Sequence, residues 1–339
     1  MTAPGALMQS EIAEGPGVFV RGIHDAITPA TACLLDEMSL GKARAIYTIA
    51  RGSSDAAANI LAYEFMRELG LPVTSLPPSV FSLGNGVDMA RSLALIISQS
   101  GASEDLVCAA TGARARGATV IGIVNQPGSK IASAAHLTLP IGAGPERAVP
   151  ATKSVIGSIA AGMALLGHLT PAYATRAAQD ATLIAALPPI SHPRAGTLLA
   201  ALLRAQHVYV IGRDTGFGAA HELALKLKET CALHAEAYSS SEVLHGPLQL
   251  VTKPLMVLIL DTGQAQVQDS LNTAEARFRA SGGDVHRISP ADLGITGLTP
   301  AASAALLLCM TYPLVLALAR ALGHDPDAPA TLSKVTQTR

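Results

Sequence analysis

Glu222, Lys226 and Glu229 stand four and then three residues apart in the run ELALKLKETCALHAEAYSSSEVLHGP, residues 222–247. On a helix that spacing places all three on one narrow face, with Leu223, Leu227 and Cys231 pointing roughly the other way. Two carboxylates and an amine beside apolar neighbours are costly unless they pair or do chemistry. The segment then leaves the helix through Ser239-Ser240-Ser241 and reaches His245-Gly246-Pro247, a titratable side chain in a stiff turn. An acid/base set of Glu, Lys and His within one short segment suits moving protons along a sugar carbon skeleton. The plain alternative is a solvated Glu–Lys pair beside a turn histidine.

The surrounding sequence supplies elements to hold these groups. In the first half, Ala45–Ala50 reads as a short buried strand ending at Arg51-Gly52-Ser53-Ser54, and Asp55–Leu69 as a helix. Leu93–Ile97 reads as a second strand, ending in Ser98-Gln99-Ser100-Gly101-Ala102-Ser103. A helix over Glu104–Arg116, a strand over Thr119–Val124 and a Gly- and Ala-rich helix over Thr152–Leu169 follow. The second half repeats the order, with strands at His207–Ile211, Leu255–Leu260 and Val285–Ile288 and helices from about Gly218 to Leu233, up to about Ser281, and after Pro300. Tyr47 aligns with Tyr209, and Ser100-Gly101 with Thr262-Gly263. This rhythm predicts an α/β chain of two tandem doubly wound, flavodoxin-like parallel-sheet domains. The expected boundaries are an N-terminal segment 1–28, domains at 29–187 and 188–326, and a tail 327–339, with Pro188, Pro189 and Pro193 marking the linker.

Strand C-termini are where open α/β sheets bind ligands. In the first copy both turns are rich in hydroxyls and lead into helices, whose N-termini offer free N–H groups and a positive dipole end. Gly52, Ser53, Ser54, Ser98, Gln99, Ser100 and Ser103 are therefore read as a phosphate cradle built without lysine, against the alternative that the serines only cap helices. The matching turn of the second copy, Asp261-Thr262-Gly263, carries a carboxylate that repels phosphate.

Composition excludes other classes. Nearly half of the 339 residues are apolar and the formal net charge is −1, so the chain carries no electrostatic footprint for nucleic acid or an anionic membrane. Cys33, Cys108, Cys231 and Cys309 form no CxxC pair and read as buried free thiols of a reducing cytoplasm. The N-terminus has no basic or apolar region of a signal peptide. Ala301–Leu322 approaches the length of a membrane span, but Thr311, Pro313 and Arg320 favour a buried core or interface helix. His234-Ala235-Glu236 mimics the H-x-E of zinc deaminases without the Pro-Cys-x-x-Cys that should follow, so no metal site is expected.

Taken together these segments resemble the sugar isomerase (SIS) family, and within it the isomerase half of glutamine–fructose-6-phosphate aminotransferase. The resemblance rests on residues 8–16, on Ser98-Gln99-Ser100-Gly101, on residues 224–229 and His234–Tyr238 as the catalytic helix, on His245-Gly246-Pro247, and on Leu332-Ser333-Lys334-Val335-Thr336. It implies that Glu229 moves a proton between C1 and C2, with Glu222 and Lys226 holding and tuning it. His245 would open the pyranose ring in a neighbouring subunit, making a homodimer with a shared active site. Lys334 on the tail would form an imine with a ketose. Ser54, Ser98, Gln99, Ser100 and Ser103 would bind phosphate, and Val149 to Thr152 would line the sugar site. No cofactor is implied. Ala102 stands where the family carries Glu, Arg51 where Cys is frequent, and no nucleophilic Cys follows Met1. The expectation is a cytoplasmic glucosamine-6-phosphate deaminase and isomerase yielding fructose 6-phosphate and ammonia. A fructosamine-6-phosphate deglycase and a non-catalytic sugar-phosphate sensor are the alternatives. Too little apolar content marks the tail after Pro326 as dispensable for the core.

Overall fold

Short apolar runs bounded by turn residues become buried parallel strands here, and Ala-rich amphipathic runs become the helices that cover them. The computed structural model describes residues 3–38, 40–252 and 254–334. The chain begins with α1 (Ala6–Asp25) and α2 (Pro29–Glu37). The first sheet is then laid down through β1 (Ala45–Ile49), α3 (Gly52–Leu69), β2 (Val73–Ser75), α4 (Ser79–Ser82), β3 (Ser92–Ser98), α5 (Glu104–Ala115), β4 (Thr119–Val124), α6 (Lys130–Ala134) and β5 (Leu137–Pro140). Helices α7 (Lys153–Leu169), α8 (Pro171–Ala185) and α9 (Ala195–Arg204) precede the second sheet, and the prolines at 188, 189 and 193 fall between α8 and α9. That sheet is built by β6 (His207–Gly212), α10 (Thr215–Cys231), β7 (Ala235–Ser239), β8 (Leu255–Leu260), α11 (Gln268–Ala280) and β9 (Asp284–Ile288), before α12 (Pro300–Ala321).

The sheet orders are β2-β1-β3-β4-β5 and β7-β6-β8-β9, with every pair parallel. Both are the doubly wound order expected. The second sheet has no counterpart of β5 among the described residues, because after β9 the chain turns at Pro290–Leu293 and enters α12. Residues 3–14, Arg147–Thr152 and Ala186–Lys334 pack into one compact unit around the second sheet, and Gly15–Glu146 with Lys153–Ala185 pack into the other.

Two expectations about the elements and their alignment need correction. His234–Tyr238 does not extend the helix of Lys226. Helix α10 ends at Cys231, Ala232 takes a left-handed conformation with φ 50°, and Ala235–Ser239 joins β6 as an edge strand. Ala, Glu and Tyr tolerate either state, and the backbone donors and acceptors of β6 decide it. The repeat alignment is also shifted by one residue at the second turn. Tyr47 lies opposite Ala94 and Tyr209 opposite Val257. Ser100 is as far beyond Ala94 as Gly263 is beyond Val257, so Ser98, Gln99 and Ser100 correspond to Asp261, Thr262 and Gly263, and Gly101 corresponds to Gln264.

In the unit of the first sheet, Ile49, Ile96, Leu106, Val120 and Ile131 anchor one apolar cluster. Helices α3 and α7 meet at Gly162, where an added Cβ would collide with the methyl groups of Leu61. In the other unit Tyr209, Val243, Val257, Leu271 and Phe278 form a second cluster. Helix α12 is the one helix among the described residues long and apolar enough to cross a membrane, and 89% of its most apolar stretch is buried, in part against α10 and α9.

The chain ends of this unit are tied by carboxylates. Asp327 accepts hydrogen bonds from the backbone N–H groups of Leu7 (2.9 Å) and Met8 (2.8 Å), in the first turn of α1. Its own carbonyl accepts from the N–H of Val149 at 3.0 Å. Asp325 accepts from Gly5 N–H at 3.1 Å, and Arg320 donates to the Pro4 carbonyl and the Gln9 side chain. A carboxylate at a helix N-terminus satisfies orphan donors and meets the positive dipole end. The start of the tail is therefore a structural clasp, which its polar composition does not reveal. Asp327→Ala should lower stability by about 0.5–2 kcal/mol in denaturant unfolding. Truncation after Pro326 should destabilise measurably, whereas truncation after Ala328 should not.

All four cysteines are free, but Cys33 and Cys108 are exposed rather than buried as expected, because they lie on the outer faces of α2 and α5. Burial pushes the Cys231 thiol up to about 11 and the Cys309 thiol up to about 12. A thiol-labelling reagent at pH 8 should modify Cys33 and Cys108 in the native protein and reach Cys231 and Cys309 only in denaturant, as mass spectrometry will show.

Candidate active site

Helix α10 brings Glu222, Lys226 and Glu229 together as their spacing predicts. Lys226 Nζ lies 3.6 Å from Glu222 Oε1 and bonds Glu229 Oε2 directly. The Tyr312 hydroxyl of α12 donates to Glu222 Oε1 at 3.0 Å. The side chains of Glu222 and Lys226 are 0% and 1% exposed, while that of Glu229 is 25% exposed. The set is thus graded from a closed interior to an open end, and of the three only Glu229 presents a carboxylate to solvent. This is not the solvated surface pair of the plain alternative. Tyr312, ninety residues from Glu222, is hidden in the sequence because it reads as one more apolar letter of α12.

His245 closes a short 3-10 turn, Glu242–His245, anchored by fully buried Val243. Tyr209 of β6 donates its hydroxyl to the Pro247 carbonyl at 3.1 Å. Its ring packs edge-on against Tyr238 and Phe278, with centroids 5.0 and 6.1 Å apart. Burial raises the Tyr209 hydroxyl above its ordinary pKa, so it remains a donor. His245 itself is exposed and lines an open cavity of about 480 Å³ with Leu248, Gln249 and Arg277. Nearby, Arg213 donates to the hydroxyls of Ser239 (2.9 Å) and Ser241.

In the unit of the first sheet, the two serine-rich turns follow β1 and β3. Gly52 opens α3 with φ 54°, and half-buried Ser53 and Ser54 lie in the first helical turn. Ser98 is buried, and its Oγ accepts from Gly101 N–H at 3.1 Å. Ser100 Oγ accepts from Ala102 N–H at 3.3 Å, and Gln99 is half-buried. Gly101 has φ 62°, and a Cβ there would collide with the Ser129 side chain, so only glycine fits this turn. Ser103 precedes α5 without a side-chain cap bond, so the helix-cap alternative does not account for it. The turns also hold a cation: Arg51 Nε donates to buried Asp105 Oδ2 at 2.9 Å, tying the β1–α3 turn to the first turn of α5. The sequence marks Arg51 only as a departure from the family, since nothing local pairs it with a residue 54 positions on.

Val149 is half-buried and Thr152 fully buried, both in the compact unit that holds α10. Glu11 accepts from the backbone of Arg147 and Ala148 and so fixes the start of this segment. Lys334 is the last described residue and is partly buried, while Val335 and Thr336 of the tail motif lie outside the described residues.

The sequence model of the SIS domain matches residues 39–167 and 201–311. The chain belongs to the SIS domain family. The two matched SIS segments coincide with the two sheets. Among curated relatives, glutamine–fructose-6-phosphate aminotransferase of Zymomonas mobilis is 29% identical over 96% of this chain and 58% of its own length. The enzyme of that name from Aeropyrum pernix is 34% identical over 78% of this chain and 46% of its own length. The chain thus spans about half the length of such relatives. Among solved structures, a "putative phosphosugar isomerase" of Silicibacter pomeroyi DSS-3 matches with TM-score 0.82 and 32% identity, covering 94% of this SIS chain and 99% of that one. Glucosamine-6-phosphate deaminase of Thermotoga maritima shares the fold with TM-score 0.75 at 19% identity, covering 98% of this chain and 100% of that one.

Removing one partner from a buried ionic set leaves an uncompensated charge. Lys226→Met should therefore cost about 3–5 kcal/mol of unfolding free energy. Adding Glu222→Gln should recover part of the loss, which a double-mutant cycle in urea measures.

Proposed function

We propose that the chain is a phosphosugar isomerase that acts on an amino-sugar phosphate, converting glucosamine 6-phosphate and water to fructose 6-phosphate and ammonia. The observation that carries this reading is the graded exposure of the ionic set on α10. A base that abstracts a carbon-bound proton must touch substrate, and Glu229 alone among the three is open. Lys226 bonds its carboxylate from behind and holds it in one orientation, while Tyr312 and Glu222 fix Lys226 in turn.

In the proposed reaction His245 opens the pyranose ring by moving the C1 hydroxyl proton to the ring oxygen, exposing the C1 aldehyde. Glu229 takes the proton from C2 as electron density passes to the C1 carbonyl oxygen, which takes up a proton to give an enolamine. The nitrogen lone pair then drives return of the carboxylate's proton to C1, and the nitrogen loses one proton in turn. The product is an imine at C2, which water converts to the ketone with release of ammonia. Lys334 would form an imine with the ketose carbonyl, with loss of water. Gly52, Ser53, Ser54, Ser98, Gln99, Ser100 and Ser103 would hold the phosphate, and Val149 and Thr152 would line the sugar site. The exposed position of His245, on a turn held by Tyr209, suits donation to the active site of a second copy in a homodimer. The family membership and the relatives named above support the sugar-phosphate class of substrate.

Glu229→Gln keeps shape and deletes the base. It should retain substrate binding and lower turnover about 10²–10⁴-fold. In deuterated water the wild-type protein should exchange the proton carried between C1 and C2, and the variant should not. Wild-type exchange by the variant refutes the assignment.

Ser98 braces its turn through Gly101, so phosphate binding is better tested at Ser100 and Ser103. Replacing both by Ala should weaken sugar-phosphate affinity by about tenfold or more, charge-assisted bonds being worth about 1.5–3 kcal/mol each. Unchanged affinity in calorimetry would place the phosphate elsewhere.

A further inference from the structure

The turn after β8 sits where the serine turn after β3 sits in the first sheet, with Asp261, Thr262 and Gly263 in register with Ser98, Gln99 and Ser100. It borders a cavity of about 380 Å³ at the C-terminal ends of β8 and β9, walled by Thr262, Gln264, Ser289, Ala291, Leu298 and Ser303 among others. That volume is at the small end of the range for small-molecule sites. Two features give it chemical character.

The first is that its charges are already spent. Asp261 accepts at Oδ1 from Gly263 N–H (2.8 Å) and Gln268 Nε2 (2.9 Å), and at Oδ2 from Arg287 Nε (3.0 Å). Arg287 further bonds Asn272, Glu275 and Gln268. The carboxylate is neutralised and the guanidinium saturated. The Gly263 N–H, which could have faced an anion at this turn, is turned onto Asp261 instead. Among the described residues of the cavity wall, a phosphate or carboxylate finds no uncommitted cation, and a cation no uncommitted carboxylate.

The second feature is an unmet hydroxyl. Thr262 is 2% exposed, and its Oγ1 has no hydrogen-bond partner among the described residues. Buried hydroxyls are normally paired. The cavity wall also carries groups able to donate or accept without charge: the Ser303 hydroxyl, the Ser289 hydroxyl, whose oxygen accepts from Ala291 N–H, and Gln264, whose Nε2 donates to the carbonyls of Thr262 and Leu298. Pro290, Ile295 and Leu298 supply apolar wall. Neutral hydrogen-bonding groups beside an apolar face match a ring that carries hydroxyls on its rim and C–H groups on its face.

We propose that this cavity is a second ligand site of the protein, selective for an uncharged sugar or sugar-like polyol. It lies outside the proposed catalytic residues and does not depend on their assignment. The doubled fold has kept a ligand position in each copy and changed the charge that each accepts.

Ligand-observed NMR and calorimetry test the proposal on the full chain, using glucose, N-acetylglucosamine and sorbitol as uncharged probes, with inorganic phosphate and glucose 6-phosphate for comparison. At least one uncharged probe should bind with a dissociation constant on the order of 10 mM or tighter. Binding should weaken tenfold or more in Thr262→Val, which keeps the shape and removes the hydroxyl. It should be lost in Ala291→Leu, which plugs the mouth from an exposed position. It should persist when Ser100 and Ser103 are both Ala, and inorganic phosphate should not compete. Thr262→Val serves as the decisive variant if Ala291→Leu lowers the melting temperature sharply. Failure of all three uncharged probes to bind, retention of full affinity by a folded variant of the cavity, or dependence on Ser100 and Ser103 instead overturns the proposal.

Discussion

An ammonium group cannot be taken out of water without compensation, and Lys226 is almost wholly out of water. Desolvating such a charge costs several kcal/mol even after relaxation. The interior around it must therefore supply negative charge in fixed positions. Glu222 and Glu229 do so from the same helix, one turn before and one turn after, and Tyr312 fixes Glu222 from α12. This constraint reaches outward. Helix α10 must pack against α12 with Tyr312 in register, and α12 must be apolar along almost its whole length to close over the set. What reads in sequence as a near-transmembrane run is the lid on a buried charge network.

The proposed chemistry depends on the same constraint. Two carboxylates sharing one ammonium cannot be equivalent if one faces protein and the other faces solvent. Burial makes Glu222 a structural counter-charge and leaves Glu229 open to solvent, where the proposed reaction needs its base. The histidine turn is governed by a different interaction. Tyr209, held in an aromatic cluster, pins the Pro247 carbonyl. One element is thus rigid by electrostatics and the other by packing, and both belong to the unit built around the second sheet.

The two sheets show how a repeated scaffold diverges without changing its strand order. At equivalent turns the first carries hydroxyls and the second a carboxylate already bound to Arg287. In the first, Arg51 and Asp105 bridge the two turns. In the second, Asp261 folds back on its own turn through Gly263. The backbone geometry of a doubly wound sheet offers a ligand position at each such turn, and a few side chains decide what charge that position accepts.

Much of this is legible in the sequence. Apolar runs of strand length separated by Gly and Ser turns specify buried parallel strands, because such strands are covered on both faces. β4 and β8 begin and end where those runs do. The spacing of Glu222, Lys226 and Glu229 fixes a shared face because helical periodicity is local. The edge strands β2, β5 and β7 are not legible, since their state is decided by the neighbour they pair with and not by their own composition. Partners distant in sequence are equally hidden: Tyr312 on Glu222, Arg51 on Asp105, and Asp327 at the start of α1. Periodicity tells which residues can face a common direction. Which of them is enclosed and which stays open to solvent is decided only when helices from separate parts of the chain close around them, because desolvation is a property of the packed interior and not of the sequence.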